Sequence, residues 1–334
     1  MLRGAGFASL GRSGDHYGLG LSLGNGDVTL LELANGYRGL ANLGVWRPYT
    51  WRAGSRAGSV HPGRRFASGR SAALVLDILA DPIARIPGFG IESALDFPFP
   101  VAAKTGTSRH FTDNWAVGTT GGFTVAVWVG NFSGRPMDGV SGVSGAGPLL
   151  HRVVLATARR YPVGALPSPR AAGALAAPIC RLSGDRPGPS CPVAIEWFAP
   201  GHAPADACGW HDAEGGVRLP VEYAEWAERA ELPPAARPSA PGAAQVARGA
   251  AGAAHEFRIV SPSQGDVYRM PPGIEPRYAT VALRVAGGPA DAAVRWLVDG
   301  SPYHESRWPL QPGSHRFRAV SSAGDSAEVS VRVE

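Results

Sequence analysis

The sequence predicts an α+β region, in which helices pack on an antiparallel sheet, followed by an all-β sandwich of the immunoglobulin-like kind. Residues 101–131 contain three short apolar strands, and amphipathic helical patterns flank them on both sides. From residue 257 onward, short alternating segments recur between turn residues, which predicts five to seven strands of a small sandwich. Residues 233–254 lie between the two regions, are rich in Ala, Pro and Gly, and predict a flexible linker.

Length and composition fit two or three modest domains. The 334 residues are 44% hydrophobic, which suffices for cores, and 45 Gly with 30 Pro predict many loops. The net charge of +5 comes from scattered Arg residues, so no nucleic-acid partner is expected. No apolar run reaches 18 residues, so no membrane segment is expected, and no apolar stretch follows Met1-Leu2-Arg3, so no signal peptide is expected. The predicted units are a sheet-and-helix unit at 1–162, a cysteine-containing connector at 163–232, the linker at 233–254 and the sandwich at 255–334.

Amphipathic spacing predicts three helices around the sheet. Asp27 is expected to cap the first, which runs to about Leu43 and is interpreted as scaffold. The second spans Ser71 to Ile83, and Asp81-Pro82 is expected to end it. The third spans Pro148 to Tyr161 and is expected to close the sheet. A further short helix is predicted at Val221 to Leu232.

The three strands of the first unit follow one another in the sequence. Val101 to Ala103 form a small apolar strand that leads directly into Lys104. A hairpin then joins Asn114–Gly118 to Phe123–Asn131 through the turn residues Thr119–Gly122. The sequence therefore predicts a three-stranded antiparallel sheet whose first strand carries Lys104.

Lys104 is the first candidate functional residue, because it is the only Lys in the sequence. A lysine ammonium is a compact charge that can shift its pKa and move a proton, whereas Arg stays charged. Gly106 lets a ligand or another backbone come close, and Thr107 and Ser108 add two hydroxyls. This grouping is typical of a carboxylate-binding site. The alternative interpretation is a solvated lysine at the end of a strand.

The residues around Lys104 resemble a known family. Lys104-Thr105-Gly106 matches the third motif of the penicillin-interacting serine transferases, and characteristic runs follow it at Asp113–Gly118 and Val127–Asn131. Over Tyr17 to Tyr161 the sequence resembles the transpeptidase domain of class A penicillin-binding proteins, most closely the 1C type. The segments containing Ser261–Gly265, Trp296–Gly300 and Leu310–His315 resemble the C-terminal domain appended to these proteins.

This resemblance implies a peptidoglycan D,D-transpeptidase that crosslinks the cell wall at the periplasmic face of the inner membrane. The implied ligands are peptidoglycan stem peptides and β-lactams, and the parent family also carries a glycosyltransferase domain and a membrane anchor. Lys104 and Thr107 would be catalytic: Lys104 steadies the proton network, and the Thr107 N–H is an oxyanion donor. Thr105, Gly106, Thr107 and Ser108 would bind substrate, with the two Thr hydroxyls on the carboxylate and Gly106 beside the acyl group.

Two motifs of that family are missing from these 334 residues. Ser-x-x-Lys, which would supply the nucleophile, cannot occur because Val101 stands three positions before the single Lys. None of the five Asn residues completes a Ser-x-Asn motif. The protein alone is therefore expected to be inactive. Three explanations for the missing motifs stay open: a truncated gene, a split gene with a separate N-terminal half as partner, and a degenerate remnant. A non-catalytic module that binds the wall or a protein stays open as the alternative function.

Cys180, Cys191, Cys208 and His211 form a second candidate site. Cys208 and His211 have the spacing of a metal half-site, and three thiols with one imidazole suit a closed tetrahedral zinc site. Because the number of Cys is odd, a complete disulfide framework is excluded. Three interpretations of these residues stay open: a structural zinc site, one disulfide with a free thiol, and three unmodified thiols. The extracytoplasmic location of the resembled family favours the disulfide. No other cofactor is expected.

Overall fold

A computed structural model describes residues 1–51, 62–90, 93–223, 225–226, 257–270, 276–287 and 293–334. The predicted linker at 233–254, and the part of the predicted 221–232 helix from residue 227 onward, lie outside the described residues. The helices of the described part are α1 (Gly14–Tyr17), α2 (Leu30–Ala41), α3 (Gly69–Ala80), α4 (Pro82–Phe89) and α5 (Gly147–Ala158). Its strands are β1 (Val45–Trp46), β2 (Arg64–Arg65), β3 (Ala102–Thr107), β4 (Asp113–Thr119), β5 (Thr124–Gly130), β6 (Leu175–Cys180), β7 (Val193–Phe198), β8 (Arg258–Ser261), β9 (Val267–Tyr268), β10 (Thr280–Ala282), β11 (Arg284–Ala286), β12 (Val294–Val298), β13 (Ser301–Tyr303), β14 (Arg307–Pro309), β15 (Gly313–Ser321) and β16 (Ser326–Val333).

The first unit is built on the three-stranded antiparallel sheet that the sequence predicts. Its strand order is β3-β4-β5, so the strand that carries Lys104 lies at an edge. Lys104 stands opposite Val117, and Trp115 stands opposite Trp128. Helix α5 covers one face, as predicted, because it buries Leu150 and Val154 against the apolar residues of the sheet. The core of this unit comprises Leu95, Phe97, Val101, Ala103, Ala116, Val127, Ala146, Leu150 and Val154.

The start of helix α2 differs from the prediction. Thr29 caps the helix instead of Asp27, and its Oγ1 accepts a hydrogen bond of 3.1 Å from the Glu32 N–H. The Glu32 carboxylate accepts a return bond of 2.9 Å from the Thr29 N–H. Both hydrogen bonds satisfy backbone donors that a helix start leaves without partners, and this reciprocal pair fixes the boundary.

The prediction that Asp81-Pro82 only ends a helix is incomplete, because a second helix begins there. Asp81 Oδ1 accepts hydrogen bonds of 2.7 Å from the Ile83 N–H and 3.2 Å from the Ala84 N–H. Pro82 fits the first turn of α4, where a backbone N–H would have no helical partner. The backbone therefore turns at Asp81 and continues as a helix toward the sheet.

The C-terminal region is all β, as predicted, but its described residues form nine strands rather than five to seven. Five of them make a sheet in the order β13-β12-β15-β16-β9. The other four form two separate two-stranded sheets, β10-β14 and β8-β11. One apolar core joins strands from all three groups. Trp296 and Trp308 lie in that core, as predicted, and Phe317 is its most completely buried large side chain, with 0% of its surface exposed.

Asp96 connects the first unit to the C-terminal β region. Its carboxylate lies 2.7 Å from Nη1 of Arg307 and 3.7 Å from Nη2 of Arg284. The side chain of Asp96 is only 13% exposed, so the pairing takes place largely out of water. Arg307 is also held in place by Thr280, whose hydroxyl accepts a 2.8 Å hydrogen bond from Nε.

Asp96→Asn is expected to lower the free energy of unfolding by about 2–3 kcal/mol, because it leaves two half-buried guanidinium groups without a counter-charge. The exposed Asp138, for which Asp138→Asn is the matched control, should change stability by less than about 0.5 kcal/mol. Urea unfolding of both variants measures the difference. Equal stabilities would show that the Asp96 pairs contribute nothing to holding the two regions together.

Candidate functional site

Strand β3 places the predicted Lys104 cluster at the edge of the sheet. Alternation along the strand puts Lys104 on one face, with an exposed side chain, and Thr105 and Thr107 on the other. The Lys104 ammonium donates a hydrogen bond to the carbonyl oxygen of Thr105. Among the described residues, no carboxylate lies within ion-pair distance of it. Thr105 is buried, with 9% of its surface exposed, whereas Thr107 is exposed.

The outer edge of β3 presents unpaired backbone groups. The Ser108 N–H donates to the Asp113 carbonyl oxygen across the β3–β4 pair at 2.9 Å. Hydrogen bonding alternates along an antiparallel pair, so the N–H groups of Thr105 and Thr107 point away from β4. Within the described residues, no strand pairs with this edge. It can therefore accept an extended segment through backbone hydrogen bonds.

A polar network holds the turn that follows the Lys104 strand. The hydroxyls of Ser108 and Thr112 lie 2.6 Å apart, and Ser108 Oγ accepts a 2.8 Å hydrogen bond from the Asp113 N–H. The Trp128 indole N–H donates to Asp113 Oδ1 at 2.8 Å. His110, at the centre of the turn, has a φ of 60°, a conformation that non-glycine residues adopt rarely. The hydroxyl of Ser108, predicted to bind substrate, is thus used within the turn itself.

Gly142 is a site residue that the sequence does not single out. Residues Gly142–Ala146 form a π-helical turn, where the Gly- and Ser-rich sequence indicates only a loop. The Gly142 N–H donates a 2.8 Å hydrogen bond to Thr107 Oγ1. A Cβ at Gly142 would clash with the Gly106 carbonyl oxygen, so only glycine permits this approach. The hydrogen bond from this turn holds the Thr107 side chain against the face of the sheet. The Thr107 backbone N–H, by contrast, points to the open edge of β3.

The four residues of the second candidate site converge. Nδ1 of His211 lies 3.6 Å from Sγ of Cys180 and 3.4 Å from Sγ of both Cys191 and Cys208. The four possible ligand atoms lie within 4.8 Å of one another. No disulfide joins any two of the three cysteines. Four residues spread over 32 positions are therefore brought to one point.

Short backbone pairings of the connector bring the cysteines together. Cys180 ends β6 and stands opposite Val193 of β7. The Cys208 N–H donates to the Arg186 carbonyl oxygen at 2.9 Å, in a parallel bridge between Arg186 and Ala207. His211 pairs with Val217 in a separate antiparallel bridge. These pairings, rather than one continuous element, position the four side chains.

Two family models match segments that follow the Lys104 sheet. Residues 247–333 match the penicillin-binding protein C-terminus family, and residues 171–213 match the C-terminal domain of penicillin-binding protein 1A. The chain is similar to the C-terminal part of class A penicillin-binding proteins. The second of these matches includes Cys180, Cys191, Cys208 and His211. In the part of the protein that the structure describes, no helix has the length and apolar character needed to cross a membrane.

Segments of this chain are also similar to individual penicillin-binding proteins. Penicillin-binding protein 1C of Escherichia coli is 36% identical over 90 residues, which cover 27% of this chain and 11% of that protein. Penicillin-binding protein 1A of Clostridium tetani is 28% identical over 168 residues, which cover 47% of this chain and 21% of the relative. The matched segments thus span about a tenth to a fifth of these relatives. The crystal structure of penicillin-binding protein 1A from Haemophilus influenzae superposes with a TM-score of 0.45 at 20% identity, covering 62% of this chain and 37% of that one.

Proposed function

We propose that this protein supplies one wall of a peptidoglycan D,D-transpeptidase site, which also reacts with β-lactams on the periplasmic face of the inner membrane. The open edge of β3 carries the proposal, because it combines the ammonium of Lys104 with the outward N–H of Thr107. Among the described residues, Lys104 has no carboxylate of its own to neutralise it. A ligand carboxylate can therefore take that place.

The oxyanion donor of the proposed site is the N–H of Thr107. It points away from β4 toward the place where an acyl donor would lie along the strand edge. A developing oxyanion about 2.7–3.1 Å from this donor would be stabilised without reorganisation, since β4 and the Gly142 turn hold Thr107 in place. The Thr107 hydroxyl accepts from Gly142 and keeps its own proton to donate to a carboxylate.

Lys104 has two roles in this proposal. Its ammonium attracts the carboxylate of the acyl donor, and it stabilises the deprotonated state of groups that relay the nucleophile's proton. The carbonyl oxygen of Thr105 orients the ammonium. The buried Thr105 side chain then serves packing, while the exposed Thr107 contacts the ligand.

The nucleophilic serine belongs, in this proposal, to a separate segment that carries Ser-x-x-Lys and Ser-x-Asn. Apolar side chains of two helices beside the sheet are available to pack against such a segment. Ile78 of α3 is 66% exposed and Leu149 of α5 is 47% exposed, which is unusual for large apolar side chains of a packed scaffold. For the C-terminal β region we propose an immunoglobulin-like sandwich, which its separate strand groups around one apolar core support, and we assign it no catalytic group.

Reconstitution tests the proposal. The protein is co-expressed with the N-terminal half of a 1C-type transpeptidase domain and incubated with a fluorescent penicillin. We expect the two parts to co-purify and to label together, and neither part to label alone, because acylation requires both the serine and the Lys104 strand. A co-purified complex that does not label would contradict the transpeptidase role, and would favour a module that only binds the wall or a protein.

A further inference from the structure

We propose that Cys180, Cys191, Cys208 and His211 bind a structural zinc ion through three thiolates and the imidazole Nδ1. This site lies in the connector between the sheet unit and the C-terminal β region, and takes no part in the proposed acylation. Three features of the connector carry the inference: the distances between the four ligand atoms, the hydrogen bonds to the sulfurs, and the lack of an apolar core around them.

The three nitrogen–sulfur distances match the corresponding edges of a zinc tetrahedron. Zinc binds sulfur at about 2.3 Å and imidazole nitrogen at about 2.0–2.1 Å, so tetrahedral angles place the nitrogen about 3.5–3.6 Å from each sulfur. The observed separations from His211 Nδ1 are 3.6, 3.4 and 3.4 Å. One ion at the centre of the four atoms would therefore contact all of them at ordinary bond lengths with little movement.

Hydrogen bonding alone does not account for this convergence. An imidazole nitrogen carries at most one proton or one lone pair, so His211 Nδ1 can make one good hydrogen bond and not three. Yet all three sulfurs approach this same atom at similar distances. A cation in the middle explains why three sulfurs surround one nitrogen.

Two backbone N–H groups support thiolate character. The Gly188 N–H donates to Cys191 Sγ at 3.3 Å, and the Trp210 N–H donates to Cys208 Sγ at 3.4 Å. Such donors stabilise negative charge on sulfur and orient ligands from outside the coordination sphere. The N–H donors of both hydrogen bonds lie in tight turns beside the ligands, which indicates a preorganised site.

The connector has almost no apolar core that could hold its turns together. Of the described residues at 163–223, the buried hydrophobic ones are Ala174 and Cys180, whereas Leu175 and Ile195 of the β6–β7 pair are 58% and 63% exposed. Neither apolar core includes a residue of this region. Small units of this kind usually depend on a metal or on disulfides for stability.

Metal analysis of the full 334-residue protein tests the proposal. After expression with zinc and purification without chelators, we expect about one zinc per molecule. Cys208→Ser should lose most of it, whereas His202→Ala, the matched control in the same connector, should retain it because the exposed His202 ring is paired with the Pro200 carbonyl oxygen and lies outside the cluster. Replacing zinc with Co²⁺ should produce the absorption bands of a tetrahedral, thiolate-bound ion.

Other outcomes would overturn the proposal. A metal-free protein whose mass is lower by two hydrogens, with one free thiol after denaturation, would establish a disulfide. Three free thiols and no zinc after refolding with Zn²⁺ would show that the cluster has no metal function. Iron instead of zinc in the purified protein would contradict the assigned ion. Because these measurements use the unaltered protein, a failure of Cys208→Ser to fold does not affect them, and penicillin labelling plays no part in them.

Discussion

Lys104→Ala is expected to slow acylation of the reconstituted site by a fluorescent penicillin by at least about 100-fold, which is the effect of removing one preorganised electrostatic contact. The change removes the only lysine ammonium of the protein from the open edge of β3. Both attraction of the ligand carboxylate and stabilisation of the proton relay are then lost. The time course of labelling measures the effect directly.

Two further variants separate a chemical role of Lys104 from a structural one. Arg109→Ala removes an exposed cation five positions away and should leave the labelling rate within about threefold. Lys104→Arg keeps the positive charge but replaces a compact ammonium that can exchange its proton with a planar group that cannot. It should therefore label slowly. If Lys104→Ala co-purifies normally and labels at the original rate, Lys104 has no catalytic role.

Phe317→Ala is expected to destabilise the C-terminal β region by about 3–5 kcal/mol. Phe317 is fully buried, and its ring meets that of Trp308 edge to face at 5.1 Å. Truncation leaves a cavity between β15 and the strand that carries Trp308, and removes apolar area and an aromatic contact together.

The matched control for Phe317→Ala is its neighbour Arg316→Ala. Arg316 points outward, and its 3.5 Å pair with Glu328 is well exposed, so the change should cost less than about 1 kcal/mol. Hydrogen exchange of residues 313–333 in the full-length protein reports the stability of this region. Similar protection in both variants would mean that Phe317 does not support the core.

Much of the Lys104 sheet could be predicted from the sequence, because its determinants are local. Alternation and the predicted turn residues Thr119–Gly122 indicate the hairpin, although Thr119 itself still pairs with Thr124, and the strand before Lys104 follows from its small apolar residues. The start of α2 could not be predicted from Asp27, since the cap is decided by the reach of Glu32 back to Thr29. The sequence does not predict helix α4, because Pro82 can either end a helix or begin one.

The geometry of the two sites depends on contacts between distant residues. Gly142 approaches Thr107 over 35 positions, and nothing in a Gly- and Ser-rich run indicates that hydrogen bond. The convergence of the cysteine cluster likewise depends on contacts that the sequence does not indicate. The sequence identifies all four residues, but only pairings such as the bridge between Arg186 and Ala207 bring them to one point.

The most direct test of the account is to locate the acyl group in the penicillin-treated, reconstituted complex by peptide mass spectrometry. We predict that the penicilloyl mass lies on the serine of Ser-x-x-Lys in the added segment, that every peptide of this protein keeps its unmodified mass, and that the adduct disappears when this protein is left out. A penicilloyl group on one of its own residues, or an adduct that forms equally well without it, would contradict the claim that it supplies the Lys104 wall of a shared site.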